Sequence, residues 1–154
     1  MAGLAQVGVR AIKIVSLARG EPNLQYVKHE KLGMKQHSEL TEKWLQERLV
    51  EEPALLGFGE VIVKDVERRQ SHGGRLDMLL ADPETETRYE VELQLGATDE
   101  SHIIRAIEYW DVERRRYPQY DHVAVIVAEE ITARFFNVIS LFNGFISFSC
   151  RRKR

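Results

Sequence analysis

The segment HVAVIVA, His122 to Ala128, is apolar at every position after its histidine. A strand with one face in water alternates polar and apolar residues, so an unbroken run reads as a strand buried on both faces. Such a strand needs helices on both sides of its sheet, which narrows the chain to an α/β architecture. The flanking sequence supplies them. Upstream, DESHIIRAIEYWDVERRRY sets Ile103, Ile107 and Trp110 at helical spacing and ends before Pro118. Downstream, ITARFFNVISLFNG reads as a helix closed by Asn143 and Gly144, followed by a short strand in FISFS.

Earlier in the chain, SELTEKWLQERLVEE is rich in strong helix formers, offers Ser38 as a cap and meets Pro53 at its exit, which predicts a helix over Ser38 to Val50. FGEVIVKDV, Phe58 to Val66, reads as a strand by its β-branched content. GRLDMLLA and RYEVELQL flank the turn-rich DPETET and read as an antiparallel hairpin. Residues 38–148 thus give helix, three strands, helix, strand, helix, strand. Residues 1–37 read as an N-terminal extension and 149–154, ending in RRKR, as a basic tail, either a phosphate contact or the end of a shortened protein. With 154 residues, one domain is expected, since domains run to about 100–150 residues.

Composition excludes some classes of protein. Hydrophobic residues at 44% and charged residues at 30% suit a folded cytoplasmic domain and are too apolar for disorder. A net charge of −2 lacks the basic balance of a general polyanion binder, so any nucleic-acid contact rests on local clusters such as ERRQSHGGR, ERRRY and the terminal RRKR. The single cysteine, Cys150, excludes an internal disulfide and a cysteine-based zinc cluster. No apolar run approaches the ~18 residues of a membrane span, and Gln6, Arg10 and Lys13 argue against a signal peptide. The five histidines lack ligand spacing, and neither a Ser-His-Asp set nor a glycine-rich phosphate loop is present.

The hairpin carries the chemistry. Side chains alternate between faces, so Glu90, Glu92 and Gln94 share one face of their strand, and Arg75, Asp77 and Leu79 share one of theirs. A turn centred between Glu84 and Thr85 pairs Asp77 with Glu92; a centre one residue earlier pairs it with Glu90. In either register two carboxylates meet. Like charges directly opposite are destabilising, so the pair needs a cation. Two readings fit: a divalent ion such as Mg²⁺, held by carboxylates and substrate phosphates, or a polar face on which Arg75 or Arg88 neutralises the acids.

In their order, these elements resemble the PD-(D/E)xK phosphodiesterase superfamily, the restriction-endonuclease-like nucleases. GRLDMLL matches the Asp-bearing strand, YEVELQL the Glu-x-Lys strand, and TEKWLQERLVEEPALLG the first helix and its exit, so the likeness covers roughly Ser38 to Phe148. The resemblance implies an αβββαβ core, with a central mixed sheet flanked by helices. It implies Asp77 and Glu92 as metal ligands for Mg²⁺ or Mn²⁺. Glu42, which shares a helix face with Leu45 and Leu49, becomes the acid that binds or orients the metal-bound water, with Glu39 in reserve. Gln94 stands where the family usually has lysine, and the resemblance implies that its amide would orient the nucleophile without bringing charge. Arg75, Arg105 and Tyr109 become candidate nucleic-acid contacts; the plainer alternative for the helix is an exposed face with an intrahelical ion pair.

The implied function is metal-dependent hydrolysis of DNA, or less readily RNA, by an endonuclease, which commonly acts as a homodimer when both strands are cut. The competing function is a nuclease-like module that binds nucleic acid or a protein partner with little or no turnover.

Overall fold

The computed structural model describes residues 33–71, 73–143 and 148–152, the last group by its backbone alone. Residues 1–32 of the expected extension, Gly144, the first three residues of the FISFS strand, and Lys153 and Arg154 of the tail lie outside the described residues. The elements are α1 (Glu42–Glu51), β1 (Ile62–Arg69), β2 (Arg75–Asp82), β3 (Thr87–Ala97), α2 (Glu100–Arg116), β4 (Asp121–Glu130), α3 (Ala133–Phe142) and β5 (Phe148–Arg152). Short 3₁₀ turns span Met34–Gln36 and Pro53–Leu56. The order is the one the sequence predicts.

Three boundaries differ from expectation, each for a local reason. Thr41, not Ser38, caps α1: its Oγ1 accepts the Trp44 N–H at 3.1 Å, while residues 38–39 form a turn. β1 begins at Ile62 rather than Phe58 because Gly57 and Gly59 take left-handed φ values of 71° and 83°, which interrupt an extended chain. β5 runs through Arg151 and Arg152, residues read as tail; they pair in parallel with Val127 and Ala128, so backbone bonding to β4 extends the strand past its apolar residues.

The five strands form one mixed sheet in the order β1-β2-β3-β4-β5. β1, β2 and β3 are successively antiparallel, whereas β3–β4 and β4–β5 are parallel, with α2 and α3 as the crossovers. Alternation then builds two cores. Met78, Leu80, Val91, Leu93, Val125 and Val127 face α1, where Leu45 and Leu49 meet them. Ala124, Ile126 and Ala128 face α2 and α3, against Ile103, Ala106 and Ile139. β4 is therefore buried on both sides, as its unbroken apolar run requires. Among the described residues no helix is long and apolar enough to cross a membrane.

Candidate active site

The β2–β3 ladder runs from Asp82–Thr87 to Met78–Val91. Continued one step, this register sets Asp77 beside Glu92, the pairing expected from a turn centred between Glu84 and Thr85. There the backbone ladder stops and the two carboxylates take over. Asp77 Oδ2 accepts the Leu93 N–H at 2.7 Å, and Glu92 Oε1 accepts the Asp77 N–H at 3.3 Å. The strands fork at this point, each acid stapling the backbone of the other strand.

Burial makes the pair electrostatically expensive. Glu92 is 1% exposed, and burial together with the nearby Asp77 charge pushes its carboxyl up to about 8. Burial pushes Asp77 up to about 6; the Leu93 N–H opposes the shift, and the negative charges of Glu67 and Glu42 add to it. A cation placed between the two carboxylates would relieve this penalty.

Other elements converge on the fork. The first residue of α1, Glu42, accepts the Leu95 N–H at 3.0 Å through Oε1. Glu39 stays in the turn before the helix, so α1 brings Glu42 and not the reserve residue to β3. From α2, Arg105 turns towards Glu92, with Nε 3.4 Å from Oε2. The cation beside the pair is thus neither of those offered by the polar-face reading. Arg75 pairs with Glu67 at 3.4 Å, and Arg88 lies over the rings of Tyr117 and Tyr120 at 4.2 and 3.9 Å. The intrahelical pair envisaged for α2 is also replaced, since Arg105 bonds to Glu92.

Gln94 shares the Glu92 face but is committed elsewhere. Its Nε2 donates to Asp99 Oδ2 at 3.1 Å, and its Oε1 accepts the Asp99 N–H at 3.4 Å. Asp99 in turn caps α2 by accepting the His102 N–H at 2.8 Å. The glutamine therefore ties β3 to the start of α2.

Tyr109 corrects an expectation. It is 3% exposed and packs with Leu76 and Leu79, so its ring lies in the core rather than against a nucleic acid. A Cβ built on Gly74 would lie 2.1 Å from the Tyr109 hydroxyl, and Gly74 has φ +79°; the Gly-Gly of HGGR thus lets the β1–β2 turn close over this tyrosine. Glu90, the other partner considered for Asp77, faces Leu79 instead and binds His122 Nδ1 at 2.7 Å in a fully buried pair.

Sequence reasoning missed two residues. The register Val66–Met78 and Arg68–Leu76 sets Glu67 opposite Asp77 on its other side. Buried Gln46 of α1 donates to Glu67 Oε1 at 2.9 Å and to the Asp77 carbonyl at 3.0 Å. Glu67 has φ +55°, a left-handed conformation that a strand pattern does not announce. Reading RQSHGGR as a hairpin turn was the signal that could have placed it.

Among the described residues no three His, Cys, Asp or Glu side chains gather into a ready-made metal cage. The donor set still suits a Mg²⁺-sized ion, which uses one or two carboxylates and keeps several waters. Asp77 and Glu92 would hold it, and such an ion would offset the burial that raises the proton affinity of both.

The element order, mixed sheet and forked β2–β3 pair define a restriction-endonuclease-like α/β fold. Among solved structures the chain is similar to a repair endonuclease from Pyrococcus abyssi, with TM-score 0.62 and 16% identity over 73% of this chain and 46% of that one. It is equally similar to EndoMS in its dsDNA2 complex, with TM-score 0.62 and 14% identity over 85% of this chain and 50% of that one. The chain thus spans about half the length of each. No protein-family description and no curated protein sequence matches it.

Proposed function

We propose that the protein is a metal-dependent nuclease that hydrolyses DNA phosphodiesters at the β2–β3 fork. The observation that carries this reading is the pairing of buried Glu92 with half-buried Asp77, two facing carboxylates with raised proton affinity at a strand fork. The fold shared with a repair endonuclease and with EndoMS supports it, and the dsDNA in the EndoMS complex supports duplex DNA as the substrate class. Asp77 and Glu92 hold the ion, and Glu42, on the Leu95 amide at the same strand end, orients the attacking water. A bound Mg²⁺ or Mn²⁺ supplies Lewis acidity and offsets charge developing on the phosphate. Arg75, 61% exposed, and Arg105 grip the phosphates.

One observation favours a second reading, a DNA-binding module with weak turnover: the Gln94 amide is held by Asp99 on both sides and brings no charge.

The deciding experiment incubates the protein with supercoiled plasmid and with labelled single-stranded and branched oligonucleotides in Mg²⁺, Mn²⁺ or EDTA. D77N serves as control, because it keeps an acceptor for the Leu93 N–H. Cleavage that is lost in EDTA and reduced by at least about 10²-fold in D77N is the expected result. Cleavage by D77N at the wild-type rate would overturn the assignment. Salt-sensitive binding without turnover by the wild type would select the second reading.

A further inference from the structure

Phosphodiester hydrolysis gathers negative charge on the non-bridging oxygens of the reacting phosphate, and preorganised donors carrying positive charge are worth most there. The side chains around the fork leave few candidates. Lys43 donates to Gln46 Oε1 at 3.0 Å, and Arg75 is paired with Glu67. Gln94 is neutral and held by Asp99.

Arg105 alone of these reaches the carboxylate pair. Its Nε lies 3.4 Å from Glu92 Oε2, its side chain is 48% exposed, and Nη1 and Nη2 make no hydrogen bond to the described residues. One edge of the guanidinium thus sits on a buried ligand while two donors remain for a group arriving from solvent. Its charge acts on Asp77, Glu92, Asp99, His102 and Tyr109, which makes it the cation of the whole fork.

Resting on the nuclease reading, we infer that Arg105 is a catalytic residue whose free amino groups bind the non-bridging oxygens of the phosphate being cleaved, beyond a general grip on DNA. In that step the water oxygen forms a bond to phosphorus as the bond to the leaving oxygen breaks. The water's proton passes to solvent, and the leaving oxygen takes a proton from solvent. The guanidinium stays charged throughout and moves no proton. Gln94 lies on the same strand face as Glu92, so a lysine there is expected to bring a positive charge beside the pair that substitutes in part for Arg105.

The test compares wild type, R105Q, Q94K and Q94K/R105Q in three measurements: single-turnover cleavage with Mn²⁺, DNA affinity in EDTA, and Mn²⁺ affinity by titration calorimetry without DNA. R105Q is expected to lose about 10²–10³-fold in the cleavage step, and no more than about tenfold in DNA affinity for the one phosphate contact removed. The double variant is expected to recover to within about tenfold of wild type. Mn²⁺ is expected to bind R105Q several-fold more tightly and Q94K several-fold more weakly, because a neighbouring positive charge is removed or added. A loss confined to DNA affinity, absence of rescue by Q94K, or Mn²⁺ affinity unchanged in R105Q would each overturn the role of Arg105 while leaving the nuclease standing. A wild type that binds Mn²⁺ but cuts no DNA would overturn the nuclease reading and this one with it. Thermal melting of each variant separates these outcomes from unfolding.

Discussion

Asp77 and Glu92 are structural and chemical at once, and their two duties pull in opposite directions. As staples they satisfy backbone N–H groups at the strand fork; as close neighbours, one buried and one half-buried, they repel. Folding raises their carboxyls from ordinary values of 3.8 and 4.5 to about 6 and about 8, so between these limits the folded state binds more protons than the unfolded one. Stability of the metal-free protein therefore falls as pH rises through that window. Urea denaturation in EDTA is expected to follow this slope, E92Q to flatten its upper part, and Mg²⁺ to stabilise the wild type most at the alkaline end. D77A is a poor control for catalysis, since stranding the Leu93 N–H costs about 1–3 kcal/mol. Alternation and turn position narrowed the partner of Asp77 to Glu92 or Glu90, and the register of the ladder selects Glu92. Glu67 escaped notice because its left-handed φ and the register shift between Val63 and Asp65 lie outside what a strand pattern encodes.

At the level of elements, the site depends on how two turns deliver their strands and helices. The β1–β2 turn closes over the Tyr109 hydroxyl through Gly74, a glycine with both a positive φ and no room for a side chain. G74A is expected to destabilise the fold by about 1–3 kcal/mol through strain and overlap. Y109F removes the obstructing oxygen, so in that background the same substitution is expected to cost less, a coupling that a double-mutant cycle in denaturant reads directly. The second turn is the bulge of β3 at Gly96. Glu129 Oε2 accepts the Gly96 N–H at 2.6 Å, and the same carboxylate accepts the backbone N–H groups of Met34 and Lys35, anchoring the segment before α1 beside the strand that Glu42 touches. Helix and strand identities were legible from periodicity and propensity. The cap at Thr41, the late start of β1 and the reach of β5 were not, because hydrogen bonding and glycine conformation decide them.

For the whole molecule, sequence carried the α/β class and the order of elements, since the apolar run of β4 and the hairpin left few other arrangements. It also brought Glu42, Asp77, Glu92 and Arg105 to one place. It misjudged Tyr109, whose position on α2 matched the helix face expected to meet phosphates but which the β1–β2 turn covers. With a net charge of −2, the proposed DNA affinity rests on local clusters, and the fork is one region where acids and arginines sit together. On the proposed nuclease reading, the carboxylates repel the phosphates when no divalent ion is bound. A D77N/E92Q double variant is therefore expected to bind duplex DNA about tenfold more tightly than wild type in EDTA at pH 8.5, an affinity difference of about 1.4 kcal/mol readable by fluorescence anisotropy.

The fork has one further consequence. Where the ladder ends, two amide protons, those of Leu93 and Asp77, are held by ionisable side chains in place of carbonyls. Their magnetic environment tracks the charge on those carboxylates. The backbone thus contains its own indicator, in which two resonances report protonation or ion capture residue by residue, with no substrate added and no label beyond nitrogen-15.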